Sequence, residues 1–324
     1  MNRCVSCVAT AVRDAAGKMG KRPLHGVLAI VLPKCTNVPT PMPRKNLMSR
    51  SLQRITLSMA VLALASTVHA GDPAARSSST DHETVVTGER VFDLSLGNGV
   101  RQRLLYATPS NPKAIIVMLP GGAGDIGIER SGDVRHDDNF VVRTRSLWVA
   151  RGYAVLIPDT VDGDNLRGLR SSPAYAALVG ELVGFAHTKS SVPVFLLGTS
   201  QGSIAAMNGA AHLPATQLAG VVLTESVSRQ GGSHETVFQA NPQDVRVPAL
   251  VVANHDDRCD VAPPEDAPRI AAAMSHSAQA RVLYVSGGTS QSSKACGSLT
   301  PHGYYGIEPM VVDGIADWMD AIVR

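Results

Sequence analysis

Aromatic residues are scarce in this 324-residue sequence, with Phe, Trp and Tyr together making up 4%. So few flat side chains argue against a broad aromatic binding wall. Charge is also sparse, at 18% of residues. Acids are nearly absent from the first 70 positions. Of 30 Lys and Arg and 27 Asp and Glu, residues 1–70 hold ten and one (Asp14), which leaves 20 basic and 26 acidic residues beyond them, a balance of −6. The formal net charge of +3 therefore belongs to the N-terminal segment. A mildly acidic body gives no electrostatic case for a nucleic-acid partner. No Gly-Lys-Ser/Thr is present, which excludes a phosphate-binding P-loop. There is no internal repeat, and no linker divides residues 84–324. Cysteine is rare too, and only Cys259 and Cys296 lie beyond residue 70.

What is present begins with a targeting signal. From Met48 the chain reads MSRSLQRITLSMAVLALASTVHA. Arg50 and Arg54 form a positive start, Ile55–Val68 an apolar stretch, and Val68-His69-Ala70 a small-x-small cleavage site. The apolar stretch is too short for a comfortable membrane span. The expected organisation is an upstream extension over 1–47, a signal peptide over 48–70 cleaved after Ala70, a flexible polar leader over 71–83, and one domain over 84–324. No stable membrane anchor is expected after cleavage, and the expected location is periplasmic or extracellular. Cys4-Val5-Ser6-Cys7 is a single CxxC without a partner pair and is read as chance. No metal and no cofactor are expected. In an exported chain the two remaining cysteines, Cys259 and Cys296, are expected to pair.

The domain itself starts with two strand-like runs, near Glu89–Leu96 and Val100–Ala107, joined by Gly97-Asn98-Gly99, a hairpin signal. Short continuous apolar runs follow at Ala114–Leu119, Ala154–Pro158, Val192–Gly198, Leu218–Thr224, Ala249–Ala253 and Arg281–Ser286. Runs of this length suit strands buried on both faces of a parallel sheet. Helical spacing appears between them, over Val141–Arg151, Ala174–Thr188, Ser203–His212, Pro264–Met274 and Ile307–Val323. The alternation predicts a mostly parallel, doubly wound α/β sheet led by an antiparallel hairpin.

Ligands of such sheets bind at the carboxyl ends of the strands. Gly198-Thr199-Ser200-Gln201-Gly202 stands at one of those ends, after an apolar strand and before a helix. This is the context of a G-x-S-x-G nucleophile turn, whose glycines leave room where a Cβ would clash. A serine hydroxyl is a weak nucleophile and needs a base, which itself needs an orienting acid. Asn254-His255-Asp256-Asp257-Arg258-Cys259 follows a later strand, and Thr300-Pro301-His302-Gly303-Tyr304 lies between the last strand and the last helix.

With LPGGAGD, GTSQGS, NHDDRCDVAPP and CGSLTPHGYYG in place, the chain resembles the α/β-hydrolase superfamily over residues 90–324. Within it, the motifs resemble small secreted hydrolases of the dienelactone-hydrolase-like or esterase-like kind. The resemblance implies Ser200 as nucleophile, His302 as general base and then acid, and Asp257 as orienting acid, with Asp256, Asp260 and Glu225 as alternatives. It implies an oxyanion hole made by the N–H of Gln201 and that of Gly122 or Ala123, in a Pro120-Gly121-Gly122-Ala123-Gly124 loop. A Cys259–Cys296 bridge would tie the acid loop to the histidine loop. The implied activity is a serine hydrolase, most specifically a carboxylic ester hydrolase, acting on a small ester-like substrate. A prolyl-oligopeptidase-like peptidase is a competing reading, but the chain has no room for the extra domain those carry. A catalytically silent binding protein is another, but no member of the triad is missing.

The segment 225–248 is too short for a multi-helix lid, so an open site is expected. Arg167 and Arg170, in the loop 159–172, are read as solvated loop residues in preference to a recognition site for an anionic substrate.

Overall fold

The computed structural model describes residues 88–97 and 99–324. The expectations for 1–47, for the signal peptide, for the leader and for Asn98 lie outside the described residues. Eight strands form one sheet: β1 (Gly88–Ser95), β2 (Arg101–Thr108), β3 (Ala114–Leu119), β4 (Tyr153–Pro158), β5 (Val194–Thr199), β6 (Gly220–Thr224), β7 (Ala249–Asn254) and β8 (Ala280–Val285). Their spatial order is β1-β2-β4-β3-β5-β6-β7-β8. β1 pairs antiparallel with β2 and β2 antiparallel with β4, and every later pairing is parallel.

The continuous apolar runs have the expected consequence. Every residue of β3, β4, β5, β6 and β7 is buried. Alternate side chains of each strand enter two different cores, because successive residues point to opposite faces. Ile115, Val117 and Leu119 pack with helices α3 (Pro173–Lys189), α4 (Gln201–His212) and α5 (Ala267–Ala273). Ala114, Ile116 and Met118 pack on the other face with α1 (Phe140–Arg143), α2 (Arg145–Ala150) and α6 (Glu308–Val323). β8 is only partly buried, as its edge position requires.

Two helices differ from the sequence reading. The one expected over Val141–Arg151 is broken at Thr144, whose hydroxyl turns back to the Phe140 carbonyl at 2.7 Å and competes with the helical ladder. The one expected over Pro264–Met274 starts as a 3-10 turn at Pro264–Asp266 and becomes α-helical only at Ala267. Segment 225–248 holds two 3-10 turns, Val237–Gln239 and Pro242–Asp244, and no α-helix. Among the described residues, no helix is long and apolar enough to cross a membrane.

Candidate active site

Ser200 stands between β5 and α4 with φ +52° and ψ −121°, a conformation that side-chain-bearing residues rarely adopt. Its surroundings hold it there. Its N–H donates to the Thr224 carbonyl at 2.9 Å, and α4 begins at the next residue. The flanking glycines are steric necessities. A Cβ on Gly198 would lie 2.1 Å from the Gly202 carbonyl oxygen, and one on Gly202 would lie 2.1 Å from that of Leu119.

The turn aims the hydroxyl at a histidine. His302 Nε2 lies 2.9 Å from Ser200 Oγ, and Nδ1 lies 2.7 Å from Asp257 Oδ2. An ionised carboxylate only accepts, so Nδ1 carries the hydrogen and Nε2 is free to accept the serine proton. Asp257 Oδ1 accepts from the Cys259 N–H at 2.8 Å, which orients the carboxylate. Asp257 and His302 are buried, and Ser200 is half-buried at the mouth. The histidine loop is braced from several sides. His302 N–H donates to Thr300 Oγ1 at 3.1 Å, and Arg143 of α1 holds both the Gly303 carbonyl and, at 2.8 Å, the Glu308 carboxylate. Gly303 has no room for a side chain, since a Cβ would lie 2.0 Å from the Ser298 carbonyl.

The other acids weighed for the orienting role lie elsewhere. Asp256 accepts from the Gly287 N–H at 2.7 Å, and Asp260 is exposed. Glu225, at the end of β6, is buried behind Asp257 and does not hold the histidine.

A cavity of about 90 Å³ opens beside the serine, lined by Gly121, Gly122, Phe140, Ser200, Cys296 and His302 among others. The Gln201 N–H belongs to the first turn of α4, where amides have no partner inside the helix. Gly122 takes φ +60°, a left-handed value that suits glycine. Ala123 is not part of the lining, and its carbonyl accepts from Leu166 N–H at 2.9 Å. A larger hollow of about 710 Å³ beside β1 is lined by Arg90, Arg130, Asp137 and Arg145 among others.

Arg170 corrects the sequence reading. It is neither solvated nor exposed to a substrate, being 1% accessible, with its Nη2 on the Pro120 carbonyl at 3.2 Å. The cause is remote in sequence. Glu235 accepts from the N–H groups of Gly168, Arg170 and Ser171 at 2.9, 3.3 and 3.0 Å, which curls the loop and turns the guanidinium inward. Burial lowers the Arg170 pKa, and the nearby Tyr175 and Glu235 oppose that. Arg170 thus holds the start of the glycine loop, a role with no local signal because Glu235 is distant in the chain. Arg167 is exposed, as expected.

Cys259 and Cys296 form a disulfide, with Cα atoms 4.6 Å apart, joining the acid loop to the histidine loop. Glu225, Asp257 and His302 bring ligand-type atoms within 4.8 Å of one another. Both ring nitrogens and both Asp257 oxygens are already in hydrogen bonds within the chain.

This strand order, with the serine turn after β5, an acid after β7 and a histidine before α6, is the α/β-hydrolase fold. Known structures agree. A dienelactone hydrolase from Anabaena variabilis superposes with a TM-score of 0.53 at 18% identity, covering 74% of this chain and 99% of its own. The Pyrococcus furiosus esterase Pf2001 also gives 0.53, at 9% identity, over 74% of this chain and 95% of its own. A cold-adapted esterase from an Arctic intertidal metagenomic library gives 0.50 at 16% identity, over 75% of this chain and 97% of its own. No family model matches the sequence, and no curated protein matches it.

Proposed function

We propose that this chain is an exported serine hydrolase that cleaves an ester or related acyl bond through an acyl-enzyme on Ser200. The observation that carries the reading is the continuous relay Ser200 Oγ, His302 Nε2, His302 Nδ1, Asp257 Oδ2, at 2.9 and 2.7 Å. His302 takes the Ser200 proton as Oγ attacks the acyl carbonyl. Asp257 holds the imidazolium that forms and stays ionised. Negative charge grows on the carbonyl oxygen, where the N–H groups of Gln201 and of Gly122 or Ala123 are the donors. His302 then gives its proton to the departing alkoxide, which leaves as an alcohol. Water attacks the acyl-enzyme with the same histidine as base, releasing a carboxylic acid and restoring Ser200. No cofactor takes part in these steps.

The esterase and dienelactone hydrolase names of the structural neighbours agree with this chemistry. Export is supported by the signal-like segment 48–70 and by the Cys259–Cys296 disulfide, which suits an oxidising compartment. A small ester-like molecule is the proposed partner. Covalent labelling by a fluorophosphonate probe tests the reading. Wild-type protein is labelled at Ser200, and Ser200→Ala abolishes it. Folded wild-type protein that takes no label overturns the proposal.

A further inference from the structure

Glu225 is a second carboxyl group in the site that the relay does not use. It follows β6 with φ +42°, a left-handed value that is costly for a side-chain-bearing residue. It is 1% accessible. Its N–H donates to the Val252 carbonyl at 3.1 Å, and its Oε1 accepts from the Asn254 N–H at 3.0 Å. Its Oε2 is fully buried, and no described group donates to it. The titratable groups that face it are Asp257 from the loop after β7 and His302 and Tyr304 from the loop before α6. Asp257 is an acceptor there, and the Tyr304 hydroxyl donates to the Val252 carbonyl at 3.1 Å. An ionised Oε2 would be a buried charge next to a second negative charge, and its neighbouring donor, the Tyr304 hydroxyl, is already given to the Val252 carbonyl. A protonated Oε2 has an acceptor waiting for it.

We propose that Glu225 is a positioning residue that holds a proton on Oε2 and donates it to the Asp257 carboxylate. The acid member of the relay is then a pair of carboxyls sharing one proton and one negative charge. This rests on the serine-hydrolase reading for its catalytic meaning, but not for its structural content. Burial first, and the neighbouring Asp257 charge second, push the Glu225 carboxyl well above the usual glutamate range. The donated hydrogen bond joins the Cys259 N–H in orienting Asp257.

Infrared difference spectroscopy of wild type against Glu225→Gln reads the proton directly. A carbonyl stretch of a protonated carboxyl at neutral pH, lost in the variant, is expected. Its absence overturns the proposal. The measurement needs no turnover, so it stands even if fluorophosphonate labelling fails. The acid limb of kcat/KM supplies an independent readout. Glutamine keeps a neutral donor toward Asp257 and an acceptor toward Asn254, so the limb stays in place in Glu225→Gln. If Glu225 carries a charge, removing it moves the limb to lower pH by about one unit, which overturns the proposal. Glu225→Leu loses about tenfold in kcat with KM unchanged, and glutamine restores most of that loss.

Discussion

Ser200 can hold φ +52° because glycines stand two residues away on either side and its N–H is taken by the Thr224 carbonyl. Gly198→Ala and Gly202→Ala each force a Cβ onto a backbone oxygen. Each is expected to cost about 3 kcal/mol or more, read as a fall in the denaturant midpoint. Serine at 203 is a milder case. Its hydroxyl donates to the Ser200 carbonyl at 2.6 Å and so braces the turn from inside α4. Glu225 also sets a stability slope. Its pKa is raised in the folded state, so its contribution is complete below the ordinary glutamate range and is lost as pH rises toward the raised value. Glu225→Gln has no such slope. Chemical unfolding from pH 5 to pH 9 should therefore show the variant gaining on wild type as pH increases. A constant difference between the two contradicts this.

At the scale of elements, the site is a meeting of loops that hang from different strands. The disulfide joins the loop after β7 to the loop before α6 and closes a sequence separation of 37 residues. Replacing both cysteines by serine should lower stability by about 3 kcal/mol and slow turnover, because Asp257 and His302 lose their common tether. Equal activity with and without reductant would show that the tether is not needed. Arg170 does similar work for the glycine loop through the Pro120 carbonyl. Arg170→Ala is expected to destabilise the fold by about 2 kcal/mol or more, since it leaves Glu235 without its buried cation and the Pro120 carbonyl without a donor. It should also reduce kcat more than it raises KM. An enzyme assay beside a melting curve separates the two effects.

Among the described residues, Ser200 lines a cavity of about 90 Å³, and segment 225–248 places no α-helix over it. A cavity of about 90 Å³ fits a short acyl group and not a long one. On a panel of chromogenic esters, kcat/KM for acetyl and propionyl should exceed that for octanoyl by about tenfold or more. With no helical lid among the described residues, the rate should rise smoothly through the solubility limit of a long ester, with no interfacial jump. An octanoyl preference would contradict the reading of the cavity.

The strands, the glycine-flanked serine turn and the cysteine pair were legible in the sequence because their signals are local: a buried strand is a short apolar run, and a tight turn needs glycine. Chain order alone pointed to the acid loop and to the histidine segment. The resemblance favoured Asp257, but chain order alone did not exclude Asp256, Asp260 or Glu225, all carboxylic acids that differ in which groups they face. Tertiary structure decided that Asp257 meets His302, that Asp256 turns to Gly287, and that Glu225 lies behind with its Oε2 unsatisfied. It also decided that Arg170 is buried, because Glu235, 65 residues away, gathers its loop. Burial and pairing are properties of distant chain segments brought together, and no window of the sequence contains both partners.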